Sequence, residues 1–85
     1  MTEPTGPLPI DHWMSVLDHG SFEEVMAALE EVVARLEEGR LALADSVDCF
    51  ELGMRLAERC DRFLNEAELR VSRLEAVADR LDELA

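Results

Sequence analysis

Two histidines, two cysteines and four serines are, beside the carboxylates, the side chains of this sequence that could attack a substrate, move a proton or hold a metal. His12 and His19 stand seven residues apart, and no cysteine or carboxylate arrangement of ligand spacing accompanies them, so they do not outline a zinc site. Cys49 and Cys60 are eleven residues apart in a segment that reads as one helix. A rise of about 1.5 Å per residue puts their Cα atoms roughly 16 Å apart, beyond the reach of a disulfide. Eleven residues is close to three turns, so both thiols point the same way and read as small apolar side chains of a core. No histidine lies in the hairpin segments to activate either one. The serines form no nucleophile elbow or triad, and neither a glycine-rich phosphate loop nor an H-E-x-x-H pair occurs. The arginines mostly stand three or four residues from acids rather than converging, as an enzyme acting on a polyanion would need. No catalytic residue, cofactor or metal is expected.

Charge narrows the partners further. The formal net charge is -12, from 20 acids against 8 arginines with no lysine. Nucleic-acid binding draws its affinity from clustered cations on phosphates, whereas Glu23, Glu24, Glu30, Glu31, Glu37 and Glu38 surround a lone Arg35. Direct contact with DNA is disfavoured, and these glutamates read as a solvated face. No run of eighteen apolar residues exists to span a membrane, and the N-terminus lacks the basic and apolar regions of a signal peptide. A cytoplasmic location is the expectation.

The elements that must position any functional surface are helices. An S-F-E-E start at 21 to 24 matches a capping box, in which Ser21 accepts from the Glu24 backbone and Glu24 reaches back to the Ser21 N–H. Phe22, Val25, Leu29, Val32 and Leu36 follow at alternating spacings of three and four, and Gly39 suits a left-handed helix stop. The connection to Leu43 is short, which favours antiparallel neighbours, with Leu41 and Leu43 plugging the open end. A second helix beginning near Ala44 or Asp45 carries Val47, Phe50, Met54, Ala57, Cys60, Leu64, Ala67, Val71, Leu74, Ala78 and Leu81 as its stripe. Two successive steps of three, through Ala57 to Cys60, should shift that stripe locally. Glutamates four residues ahead of arginines, such as Glu31 and Arg35, add helical support. Gly53 fits a close approach of the first helix beside Phe50 and Met54.

Ahead of the hairpin, Pro4, Gly6, Pro7 and Pro9 disfavour helix, and residues 1 to 9 read as a disordered tail. Ile10, Trp13, Met14 and Leu17 then describe a short amphipathic helix ending near Gly20, too short to stand alone. Trp13 is its anchor, on the hairpin's own core or on a partner. The expected fold is all-α: an antiparallel two-helix hairpin, short helix then long, with coiled-coil-like packing and a short N-terminal amphipathic helix. Residues 1–20 form a flexible leader and residues 21–85 the hairpin domain.

Length then decides where a partner must sit. The first hairpin helix is about 17 residues and the second about 35, so one covers only half of the other. Leu64, Val71, Leu74 and Leu81 lack an intrachain neighbour, and burying each would contribute roughly 1.5 to 3 kcal/mol toward association. A chain of 85 residues is also small enough to need such help.

Several blocks occur in order: S-F-E-E at 21 to 24, L-E-E-V-V-A-R-L-E-E-G at 29 to 39, L-x-L at 41 to 43, and A-D-S-V at 44 to 47. F-E-L-G-M at 50 to 54 and C-x-x-x-L-x-x-A-E at 60 to 68 complete the set. The ordered set, over roughly residues 21 to 74, resembles the small-subunit family of exodeoxyribonuclease VII. The leader with Trp13 departs from typical members, as does Phe50, where the family often has Tyr. The resemblance implies a bacterial cytoplasmic accessory subunit whose large partner degrades single-stranded DNA from both ends into oligonucleotides. It implies several small subunits packed around a long helical segment of that large subunit, which holds the hydrolytic chemistry and most DNA contact. On this reading Leu64, Ala67, Val71 and Leu74, with Phe22, Leu29 and Phe50 near the crossing, supply the apolar contacts. The alternative is a coiled-coil homo-oligomeric scaffold or adaptor with no nuclease partner. Self-association of the isolated chain is expected under either.

Overall fold

A computed structural model of the chain describes residues 8–84, which form three α-helices: α1 (Ile10–His19), α2 (Phe22–Glu38) and α3 (Leu43–Leu84). No strand occurs among the described residues. The expected disordered tail at residues 1 to 9 lies mostly outside them.

Each end of α2 is set by local chemistry. The Glu24 N–H donates to Ser21 Oγ at 3.2 Å and the Ser21 N–H donates to Glu24 Oε1 at 2.8 Å, so the capping box is complete. At the other end Gly39 adopts φ 71°, a left-handed conformation that a Cβ would strain. The chain turns there and α3 begins at Leu43, slightly earlier than the sequence suggested. Leu41 packs against the core, but Leu43 is 81% exposed and plugs nothing.

α2 and α3 run antiparallel, as three contacts in descending register show. Phe22 meets Phe63 edge to face, with centroids 5.7 Å apart; Cys60 Sγ–H donates to Met26 Sδ at 3.3 Å; and Val32 lies against Gly53. A Cβ added to Gly53 would stand 3.3 Å from Val32 Cγ1, so the missing side chain leaves room for Val32 to pack against the α3 backbone. The core consists of Trp13 and Leu17 from α1, Val25, Ala28 and Val32 from α2, and Cys49, Leu52, Leu56 and Cys60 from α3. Trp13 is 1% exposed, and its Nε1–H donates to Glu31 Oε1 at 2.8 Å. The anchor of α1 therefore seats on the chain's own core, and Glu31 is drawn from the solvated face to cap it.

One expectation requires correction. The zipper on α3 is Cys49, Leu52, Leu56, Cys60 and Phe63, whereas Val47, Phe50 and Met54 are exposed. At about 100° per residue Phe50 and Met54 lie roughly 100° to 140° around the helix from Cys49. The two successive steps of three through Ala57 mark a jump between two separate apolar faces. The first hairpin helix does cross at Gly53, but Phe50 and Met54 face away from that crossing.

Both thiols are buried and unbridged. Burial pushes the Cys49 thiol above its ordinary 9.0; Arg35 pulls it down, and Asp45 and Asp48 add upward pushes. Burial, followed by Asp61, pushes Cys60 up as well. A raised folded value means that the unfolded chain loses these protons first as the pH climbs. The stability they contribute is intact below pH 9 and falls as pH rises through the folded values. The chain has no tyrosine and no lysine to titrate in the same range. Urea midpoints should therefore drop as the pH is raised above 9, and a Cys49→Ala/Cys60→Ala variant should show a flatter profile over that range. Trp13→Ala should cost about 3 kcal/mol or more, and Trp13→Phe, which keeps most of the ring but loses the bond to Glu31, about 1 kcal/mol. Both are read by urea unfolding followed by circular dichroism.

Candidate partner interface

α3 has 42 residues, and at about 1.5 Å each it is roughly 63 Å long, the full 65 Å of the molecule. α2 covers it only as far as Phe63. From Leu64 to Leu84 every residue is exposed. The radius of gyration is 18.8 Å, against about 12 Å for a compact domain of this length. Half of the longest helix thus stands off the body without tertiary support.

The bare half is apolar on the side that continues the zipper. Ala67, Val71 and Leu74 return to within about 40° of the direction of Cys49, and Leu64 to about 60°. Leu64, Ala67 and Val71 line a shallow recess together with Glu68 and Ser72. Leu74, 68% exposed, carries the stripe onward. The structure therefore brings together four of the seven residues expected to bind a partner. The other three are elsewhere: Phe22 and Leu29 are half-buried against the hairpin's own core, and Phe50, 60% exposed, lies on the second apolar face.

That second face does not stand out as a unit in the sequence. Ile10 and Met14 of α1 join Phe50, Leu52 and Met54 of α3 around an open groove of about 460 Å³, edged by Asp48, Glu51 and Arg55. Its signal was available, since Ile10 and Met14 stand at i and i+4 and Phe50 and Met54 repeat that spacing. The difficulty was that Val47, Phe50 and Met54 also fit the rhythm of a single long stripe.

The electrostatics of both surfaces are simple. Among the described residues no polar or charged residue is buried, and no group of three or more histidines, cysteines or acids could hold a metal. No helix of the described residues is long and apolar enough to cross a membrane. Arg59 stacks on Phe63 at 4.9 Å, closing the covered half where the bare half starts. Such an arrangement offers packing surface rather than reactive groups.

Comparison with known families fits this geometry. The family model described as exonuclease VII small subunit matches residues 22–73, which is all of α2, the turn and most of α3. The chain belongs to the exonuclease VII small-subunit family. Among relatives of that family, the exodeoxyribonuclease 7 small subunit of Gluconacetobacter diazotrophicus is 45% identical over 62 residues, covering 73% of this chain and 78% of that one. The protein of the same name from Staphylococcus epidermidis is 42% identical over 65 residues, covering 74% and 86% respectively. No solved structure matches. The exonuclease VII small-subunit match takes in Leu64, Ala67 and Val71 and starts after α1.

The covered and bare halves of α3 should respond differently to truncation. Leu56→Ala, in the core, should cost about 2 to 5 kcal/mol. Leu74→Ala should change the stability of the chain by less than about 0.5 kcal/mol, as a solvent-facing substitution does. Chemical unfolding of the two variants, each measured alone, checks both values.

Proposed function

We propose that this chain is the non-catalytic small subunit of an exodeoxyribonuclease VII, docking the bare half of α3 on a helical segment of the large catalytic subunit. That large subunit degrades single-stranded DNA to oligonucleotides. Family membership supports the assignment, and the observation that carries the docking site is the unbroken exposure of Leu64 to Leu84 beside a continuing apolar stripe. Leu64, Ala67, Val71 and Leu74 form the contact, with each leucine contributing about 1 kcal/mol as its remaining exposed surface is covered. Phe22 and Leu29 support it indirectly by holding α2 on α3, and Phe50 belongs to the separate groove.

The hairpin of residues 21–85 is the part that assembles, and within residues 1–20 α1 braces it. Several small subunits line one large subunit, the complex works in the cytoplasm where its substrate is, and the acidic surface leaves DNA contact to the large chain. Copies of the isolated chain associate through the seam when the large subunit is missing, because an exposed apolar stripe will cover itself. A homo-oligomeric scaffold rests on the same stripe, so self-association does not separate the readings, whereas capture of the large chain does.

Tagged protein expressed in its own host should bring down a large chain and single-strand nuclease activity; a preparation with neither would overturn the assignment. Val71→Glu should abolish that capture while the isolated chain keeps its helical spectrum. Loss of all helicity would point instead to a self-assembled bundle.

A further inference from the structure

Beyond the hairpin, α3 repeats every seven residues. Leu64, Val71 and Ala78 form one column and Ala67, Leu74 and Leu81 the next, all exposed. A strict seven-residue seam suits a neighbour that coils around α3 along its whole bare length. Along one edge of this seam stands a third column, Glu68, Glu75 and Asp82, a carboxylate at every repeat. The opposite edge is Arg70, Val77 and Leu84.

The carboxylate column is unmatched within its own helix. No arginine stands three or four residues from Glu68, Glu75 or Asp82, in contrast to Glu66 with Arg70 four residues on. Glu51, Glu58 and Glu83 likewise have an arginine three or four residues away, whereas Asp45, Asp48, Asp61 and Asp79 do not but form no column of seven-residue spacing among themselves beside the seam. Here the edge that flanks the seam is purely anionic, in the position from which coiled-coil pairs select their partners.

Building on the docking of α3 proposed above, we infer that the occupant of this seam is a helix of a different chain whose facing edge carries lysine or arginine at seven-residue spacing. A second copy of this chain fits poorly. In an antiparallel pair the carboxylate column meets itself, and like charges directly opposed weaken the pairing. In a parallel pair Glu68, Glu75 and Asp82 meet Phe63, Arg70 and Val77 of the other copy, where one position in three is a cation. A foreign helix with a cationic edge matches all three acids. The recess at Ala67, bounded by Leu64, Glu68 and Val71, takes a large apolar side chain of that helix with one of the cations beside it. The edge sets register and partner choice, and the seam supplies the affinity.

The test uses the full chain with its large subunit, measuring the dissociation constant at low and high salt. Glu68→Lys/Glu75→Lys/Asp82→Lys should weaken binding by about tenfold or more at low salt, and the deficit should shrink at high salt. Glu68→Gln/Glu75→Gln/Asp82→Asn should lie between it and the wild type, which keeps the inference testable if the reversed chain folds badly. Glu30→Lys/Glu37→Lys/Glu38→Lys, an equal charge change on the exposed face of α2, should bind within about twofold of wild type. An edge-reversed variant as tight as wild type, or an α2 control weakened as much, overturns the cationic edge. Loss of binding with Val71→Glu alone then still upholds docking through the seam, whereas failure of the wild type to bind overturns the docking reading itself.

Discussion

The length of α2 relative to α3 governs the rest of the molecule. Seventeen residues packed antiparallel on forty-two can bury only one half of the longer helix, whatever the quality of the packing. The covered half is made tight by devices that bring two backbones together: Gly53 under Val32, small thiols at Cys49 and Cys60, and a capped start and left-handed stop that fix where α2 begins and ends. None of these can lengthen α2. The resulting core, nine buried residues among those described, is small, and α1 enlarges it by adding Trp13 and Leu17 at the side. A two-helix hairpin without that brace would bury still less, close to the limit at which a chain of this size holds together alone.

Sequence reasoning reached the hairpin because the decisive signals are local. Ser21 with Glu24 and the glycine at 39 are each sufficient to place a helix boundary, and the difference in helix length follows from counting between them. What local patterns could not resolve was the face of α3 that receives α2. Spacings of three and four describe Val47, Phe50 and Met54 as well as Cys49, Leu52 and Leu56, since both sets keep a helical period and differ only by rotation about the axis. Two apolar faces exist because two elements approach the same stretch of α3, α2 over one and α1 beside the other. Cysteine and glycine in the true zipper also conceal it, being less conspicuous than phenylalanine and methionine. Beyond Phe63, where neither α1 nor α2 covers the helix, the expected Leu64, Ala67, Val71 and Leu74 fall on one side, with Leu69 exposed on the other. The destination of Trp13 needed three dimensions, because its partner Glu31 is eighteen residues away and reads in sequence as one more solvated acid.

Acidity acts at two levels here. The net charge of -12 discourages binding to phosphate backbones and keeps a chain with many exposed leucines soluble. At closer range the acids are not spread evenly: α2 presents its glutamates outward, while on the bare half of α3 one edge of the seam is anionic and the other mixed. A uniform coat would repel any acidic partner equally in every orientation. A one-sided edge discriminates among orientations, which is how a short apolar stripe with interchangeable leucines and alanines acquires a preferred register.

A helix that lacks tertiary contacts must still be formed before it can be recognised, and the bare half of α3 meets this requirement by continuity. An isolated helix of about twenty residues is hindered mainly by nucleation, the ordering of its first turn for a single hydrogen bond. In α3 that step is accomplished in the covered half, where Leu52, Leu56 and Cys60 are fixed against α2. Residues beyond Phe63 add to an existing helix one hydrogen bond at a time, and they are rich in alanine, leucine, glutamate and arginine with no glycine or proline. The proposed docking surface is thus largely preorganised, so less of its interaction energy is lost to ordering on association. The hairpin's function, on this view, is to nucleate and aim the helical half that it leaves uncovered.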